Sequence, residues 1–254
     1  MNKYIVLQRV RQKRQRVTHQ AGKPQKKPPQ VLPTPVIKTI CSEVGRLGCM
    51  SEDQLYRIFG ARLSKESFKD RMREIENSGY LASKVIDARG RPERVYHLHR
   101  GTKLRELFKP DELKALQVKM PASSELRSVL RTHDILLKVQ EKFSITSFVT
   151  EHQLKSMKSL SGCYKTAPIV SDGRLTFGKG NSGSAGVTLE VEVDGAYNGK
   201  KLKNKISSMA SSGKMTVWVT YSQTRLDRLA GLCAGTCITP VLFDSLNNFL
   251  DTLC

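Results

Sequence analysis

Val187-Thr188-Leu189-Glu190-Val191-Glu192-Val193-Asp194 alternates apolar and polar side chains along its length, which is the period of a β-strand. The alternation puts Leu189, Val191 and Val193 on one face and Glu190, Glu192 and Asp194 on the other. Three carboxylates on one strand face repel one another, and acidic residues are depleted in β structure. A divalent cation gives such a face a reason. Mg²⁺ or Mn²⁺ takes hard oxygen ligands and needs only one or two carboxylates beside phosphate and water. Asp172, 18 positions before Glu190 and next to Gly173, is the natural partner from a neighbouring strand. Lys205, 11 residues after Asp194, falls on a helix that packs back on the sheet, where an ammonium can hold an attacking water or stabilise charge developing on phosphorus.

Outward from that strand, Pro121-Ala122-Ser123-Ser124 separates two regions and sets a domain boundary near 120. Ser123 or Ser124 is expected to cap a helix running to about 143, with Leu126, Val129, Leu130, Leu136 and Leu137 as its apolar stripe and His133 among them. Strands are expected over 145–150, 215–221 and 238–243, and helices over 151–160, 200–211, 223–232 and 246–253. Residues 167–177 read as two extended pieces around Ser171-Asp172-Gly173, and 178–186 as a Gly/Ser loop. Strands interleaved with helices give an α/β domain with a mixed sheet over 123–254.

Residues 34–105 read differently. A helix from Thr34 to Val44 carries Val36, Ile37, Ile40, Cys41 and Val44, with Gly45 and Gly48 expected to stop it. Ser51 caps a second helix, with Glu52 and Asp53 in its first turn; Leu55, Ile58 and Phe59 are its buried stripe, and Gly60 ends it. Ser64 caps a third over 65–77, burying Phe68, Met72 and Ile75 and presenting Lys65, Lys69 and Arg73 on another face. Two strand-like runs, 81–86 and 94–98, flank a tip carrying Arg89 and Arg91, with Arg94 just beyond. Three helices and a basic hairpin resemble a winged helix-turn-helix: the basic helix face suits a major groove, the arginine-tipped hairpin an adjacent phosphate track. Residues 106–122 then form a linker helix broken at Lys109-Pro110. His97 and His99 alternate along the second hairpin strand but lack a third ligand.

Together, the Ser-Asp-Gly strand, the Glu-x-Glu-x-Asp strand and the lysine-bearing helix resemble the PD-(D/E)xK core of restriction-type endonucleases. The whole chain, α+β overall, is similar to the replication-relaxation family, which includes the MOB-C class of plasmid-mobilisation relaxases. That resemblance implies a DNA-binding nickase of a mobile element acting at an origin-like site. Asp172, Glu192 and Asp194 would hold Mg²⁺ or Mn²⁺, with Glu190 and Lys205 also catalytic and His133 and Glu151 in support. Duplex DNA is the implied partner, together with other mobilisation proteins and an oligomer. Two departures stand out: Ser171 replaces the usual Pro, and Val193-Asp194 follows Glu192 where the motif has its Lys. Lys205 replaces that Lys by migration to the helix, or is one of several phosphate-binding lysines with Lys200, Lys201 and Lys203. If a tyrosine is the nucleophile, Tyr197 is preferred over Tyr164 and Tyr221. A non-catalytic regulator, accessory protein or replication initiator with a degenerate nuclease-like domain is the alternative.

Charge agrees with a polyanionic partner. The 254 residues carry 43 Lys and Arg against 23 Asp and Glu, a net +20. Residues 1–30 hold nine of the basic residues and no acidic one. Rich in Pro and Gln, 1–33 reads as a disordered arm whose Arg9, Arg11 and Arg14 add salt-sensitive affinity for nucleic acid, or merely solubilise the chain. Residues 31–105 carry a net +6 and 106–254 a net +5. The six cysteines form no CxxC pair and read as reduced, mostly buried thiols. No apolar run is long enough for a membrane span, and Tyr4-Ile5-Val6-Leu7 is too short for a signal peptide, so a cytoplasmic protein is expected.

Overall fold

The computed structural model describes residues 35–87, 91–160, 170–178, 186–195 and 197–253. Arg9, Arg11, Arg14, Arg89 and Tyr164 lie outside these residues, as do the first extended piece before Val170 and most of the Gly/Ser loop. Residues 33–254 form one compact unit of mixed α/β structure. Among the described residues no helix is long and apolar enough to cross a membrane.

Helix α1 (Pro35–Leu47) buries Ile37, Ile40, Cys41 and Val44, the positions its 3.6-residue period puts on one face. It runs through Gly45 instead of stopping there. A Cβ at 45 would lie 2.6 Å from Leu98 Cδ1, so this glycine serves close packing on the hairpin. Gly48, at φ 84°, is where the chain turns. A two-residue strand β1 (Met50–Ser51) leads into α2 (Glu52–Phe59). Ser51 caps α2 reciprocally: its hydroxyl accepts from Gln54 N–H, and the Gln54 side chain accepts from Ser51 N–H. Leu55 is buried, whereas Ile58 and Phe59 are half-buried. Helix α3 (Lys65–Asn77), capped by Ser64, buries Phe68, Met72 and Ile75 as expected. Strands β2 (Leu81–Asp87) and β3 (Pro92–Leu98) pair antiparallel from Leu81↔Leu98 to Asp87↔Pro92, and β1 adds to the other edge of β3.

The expected linker helix is two short ones, α4 (Leu104–Leu107) and α5 (Pro110–Lys114), because Pro110 can begin a helix but not continue one. After α5 the chain packs back on α1, Gln117 N–H donating to Gly45 O at 2.7 Å. Helix α6 (Leu126–Gln140) has Glu125, not Ser123 or Ser124, at its N-cap. A turn explains this: Glu125 N–H and Leu126 N–H both donate to Ala122 O, at 2.9 and 3.1 Å. Helix α6 then meets the first half of the unit directly. Leu126 and Leu130 share a buried cluster with Cys49 and Val95, and Gln54 Nε2 donates to Leu130 O (2.7 Å) and Asp134 Oδ1 (2.9 Å). The region near 120 is thus a change of sheet inside a continuous core.

The second sheet has the order β4 (Ile145–Thr150), β5 (Gly173–Phe177), β6 (Thr188–Val193), β7 (Thr216–Thr220), β8 (Ile238–Leu242). β4, β5 and β6 run antiparallel, and β6, β7 and β8 parallel. Helix α7 (Glu151–Leu160) follows β4, α8 (Gly199–Ala210) follows β6, and α9 (Gln223–Cys233) follows β7; α10 (Leu246–Asp251) closes the chain. Leu202, Ile206 and Met209 of α8 and Leu229 of α9 pack around Trp218 on β7. This makes β6 the central strand, where antiparallel and parallel halves of the sheet meet, and buries it from Leu189 to Val193.

Candidate active site

The alternation read along β6 holds, but burial changes what the acidic face can do. A central strand carries no solvated side, so each carboxylate must find a cation or a donor locally. Glu190 does so first. Arg174, its register partner on β5, places Nη2 2.7 Å and Nε 2.9 Å from Oε1; Lys214 stands 3.4 Å away, and the Ser171 hydroxyl donates to Oε2. Burial works against its charge, yet Ser171, Arg174 and Lys214 outweigh it and hold the carboxyl below its usual range.

Asp194 is also spoken for. Just past the end of β6, it receives Arg225 Nε at 2.9 Å on Oδ2 and Nη2 at 3.0 Å on Oδ1, with Trp218 Nε1–H and the Thr220 hydroxyl at 3.4 Å. The same guanidinium donates to Tyr197 O at 2.6 Å and Asn198 Oδ1 at 3.4 Å. Arg225 therefore clasps the turn between β6 and α8, and Asp194 serves that clasp instead of joining a metal-binding trio. Charge-assisted hydrogen bonds of this kind are individually worth about 1.5–3 kcal/mol. Arg225→Ala is expected to cost about 3 kcal/mol in a urea melt, because it leaves an unpaired half-buried carboxylate; a loss under about 0.5 kcal/mol would refute the clasp.

Glu192 is the exception. It is fully buried and shares register with Trp218, and among the described residues no uncharged donor is aimed at its carboxylate. Its companion is a charge: Lys205 Nζ lies 2.5 Å from Oε1. Lys205 is buried, unlike Lys200, Lys201 and Lys203 on the same helix, which separates it from the surface lysines. Its ammonium also sits 4.8 Å from the centre of the Tyr197 ring and 3.4 Å from its hydroxyl. Asp172 completes the group, its Oδ2 accepting from Val193 N–H at 2.8 Å. One ammonium thus faces two carboxyls. Burial raises both above their usual range; for Glu192 the nearby Asp172 adds to the rise, and Lys205 opposes it in both. Burial also disfavours the ammonium, but Glu192 and Asp172 more than compensate and raise Lys205.

Asp172 opens onto a cavity of about 190 Å³, whose wall includes Thr132, His133, Glu151, His152 and Lys155. Glu151 begins α7 directly beside Asp172, its N–H donating to Asp172 O at 3.0 Å. Its carboxylate pairs with Lys155 at 2.7 Å and contributes to the raised values of Asp172 and Glu192. His133 is buried, and among the described residues its Nδ1 has no partner. Burial, with Arg46 nearby, pushes its pKa down to about 3, so the ring is neutral. His133 and Glu151 are therefore brought to the same cavity as Asp172. Arg174 and Arg225 were not legible as site residues: a lone arginine declares no partner in sequence. The Ser171 departure was visible, and its role is to hold Glu190.

Among the described residues no group of three or more His, Cys, Asp or Glu is placed to hold a metal ion. Asp172 and Glu192 supply the hard carboxylate oxygens that Mg²⁺ or Mn²⁺ takes, with Lys205 Nζ already on Glu192 Oε1.

In the first half, the basic residues read as DNA contacts are tied to acids. Lys65 and Arg91 both pair with Asp53, at 3.7 and 3.0 Å, and Lys69 with Glu52 at 3.7 Å. Arg73 pairs with Asp70 at 2.9 Å, and Arg94 with Glu76 at 3.7 Å. These side chains remain exposed, and such pairs are weak.

No protein-family model matches the chain, and no curated protein or solved structure matches it either.

Proposed function

We propose that this chain is a DNA-binding nickase or relaxase of a mobile genetic element, acting in the cytoplasm on duplex DNA at an origin-like site. The observation that carries the reading is the Asp172–Glu192–Lys205 group: two carboxyls and one ammonium at the central strand of a half-antiparallel, half-parallel sheet, with Glu192 and Lys205 buried and the half-buried Asp172 opening on a cavity. It has the composition that the resemblance to PD-(D/E)xK nucleases implies, with Lys205 supplied from α8. Asp172 and Glu192 would hold Mg²⁺ or Mn²⁺, which when bound polarises a scissile phosphate. Lys205 fixes the orientation of Glu192 and carries positive charge beside the reacting group. Glu151 and His133 shape the approach to Asp172. Tyr197, with its hydroxyl near Lys205, remains the preferred tyrosine if the nucleophile is not water.

For recognition, the order α1-β1-α2-α3-β2-β3 supports a winged-helix reading, with α3 as the helix presented to a major groove and the β2–β3 hairpin as the wing. Lys65, Lys69, Arg73, Arg91 and Arg94, with Arg89 and the arm residues Arg9, Arg11 and Arg14, are the proposed phosphate contacts. Asp53 competes with phosphate for Lys65 and Arg91. Asp53→Asn is therefore expected to tighten duplex binding about fivefold at low salt, the worth of about 1 kcal/mol, with the gain fading as salt rises. Unchanged binding at low salt would show that these cations do not meet DNA.

Incubating a supercoiled plasmid carrying the candidate origin with the protein and Mg²⁺ or Mn²⁺ tests the reading: conversion to a nicked circle is the expected result. A non-catalytic regulator, relaxosome accessory protein or initiator is the second reading, favoured by the neutralisation of Glu190 and Asp194 by arginines. Under it the plasmid stays intact and carries a site-specific footprint.

A further inference from the structure

A second and larger opening, about 970 Å³, runs between β2 of the hairpin and the start of α6, and reaches the turn after β6. Among the described residues four cations line it: Lys84 on β2, Arg127 and Arg131 on α6, and Lys201 on α8. Lys84, Arg127 and Lys201 are exposed. Its acids among the described residues are Asp87 and Asp194, and the second is already neutralised by Arg225. Val85, on the hairpin side, is 57% exposed, an unusual place for an apolar side chain on a charged wall. Two wall residues touch the buried group. Ser128 hydrogen-bonds to Asp172, and the Tyr197 hydroxyl lies 3.4 Å from Lys205 Nζ.

We infer that this groove takes one separated strand of DNA and leads its backbone to the Asp172–Glu192–Lys205 group. Three properties select that occupant. A wall that carries four described cations together with the hydroxyls of Ser123, Ser124 and Ser128 suits a phosphate backbone. The volume is at the upper end of what small-ligand pockets enclose, about 1,000 Å³, which accommodates a few nucleotides of one strand but no turn of duplex. The exposed Val85 gives unstacked bases apolar surface to lie on, and the edge of the half-buried Tyr197 adds an aromatic group to the wall. The inference deepens the nickase reading, since Ser128 and Tyr197 of its wall contact the group proposed to cut. Its test is nevertheless independent of cutting.

Binding of a labelled twelve-residue oligothymidylate and of a twelve-base-pair duplex is measured by fluorescence anisotropy over a salt series in EDTA, with the full chain. In Lys84→Ala/Lys201→Ala, single-strand affinity is expected to fall about tenfold, and the salt slope to become shallower by about 1.4, at about 0.7 per lost phosphate contact. Duplex affinity is expected to stay within twofold. Lys114→Ala/Lys119→Ala, whose exposed lysines are not on the groove wall, controls for general charge loss and keeps the wild-type slope. An unchanged single-strand slope in the groove variant overturns the inference. So does an equal loss for duplex, or an equal loss in the control pair. Because no metal is present, failure of plasmid nicking leaves this result standing, and a flat result here leaves the nicking assay standing.

Discussion

Replacing Lys205 with Met is expected to lower the melting temperature by about 10 °C at pH 8, and by much less at pH 4. The side chain is nearly isosteric along its stem, so the change is one of charge. Lys205 is the sole cation within contact of Glu192 among the described residues, and its charge also opposes the rise of Asp172. Without it two carboxyls remain in a buried site with no compensating charge, a loss of about 3–5 kcal/mol for breaking a buried pair. For a unit of this size about 1 kcal/mol corresponds to about 2–4 °C. The pH dependence follows from direction alone. Both carboxyls hold their proton more tightly folded than unfolded. Their contribution to stability is therefore present below the ordinary carboxyl range, at about pH 4, and is lost as pH rises through their raised values. Removing Lys205 raises those values further and steepens the loss. Glu192→Gln in the Lys205→Met background removes one of the two charges and is expected to restore much of the deficit at pH 8, a coupling that a double-mutant cycle reads directly. A pH-independent deficit, or no rescue, would show that Lys205 contributes packing and not charge.

The mixed α/β class and most of the helices and strands were legible because their signals are local. Ser51 before α2, Ser64 before α3 and the unbroken alternation of β6 each act over a few residues, and each appears where the sequence puts it. Gly45 misled for the opposite reason: its glycine answers to Leu98, 53 positions away, and no local rule distinguishes a packing glycine from a helix stop. The N-terminus of α6 misled because a turn at Ala122 supplied backbone bonds that Ser123 or Ser124 would otherwise have made. The site was legible as a set of acids but not as a division of labour. Period two places Glu190, Glu192 and Asp194 on one face, yet which of them is free depends on Arg174, Lys214 and Arg225, contributed from three separate segments. Lys205 could not be told from Lys200, Lys201 and Lys203 by composition. Helical phase on a buried sheet separates it, since only its position shares the face of Leu202, Ile206 and Met209 that packs inward.

That division of labour fixes the second large effect. Asp172→Asn and Glu192→Gln are each expected to reduce the rate of plasmid nicking about 10³-fold or more, while leaving duplex binding within twofold. Each substitution keeps shape and removes one anionic oxygen set. The loss of a single electrostatic element at a phosphoryl or acyl centre commonly costs about 10²–10³ in rate, and here the same oxygens would also hold the metal. Stability separates this from misfolding. Glu192→Gln leaves one ammonium facing one carboxylate, a better balance than one facing two, so its melting temperature at pH 8 is expected to equal or exceed that of the parent. Glu190→Gln is the contrasting case: Glu190 is already paired with Arg174 and Lys214, so its loss is expected to destabilise the sheet and to reduce nicking only in proportion to the folded fraction. Raising Mn²⁺ should recover part of the rate in Asp172→Asn, where Glu192 remains, and none in the double variant. Nicking that survives removal of both carboxylates would place the reaction elsewhere in the molecule. An intact plasmid with an unaltered footprint for the parent protein would leave the DNA-binding half of the proposal and end the catalytic half.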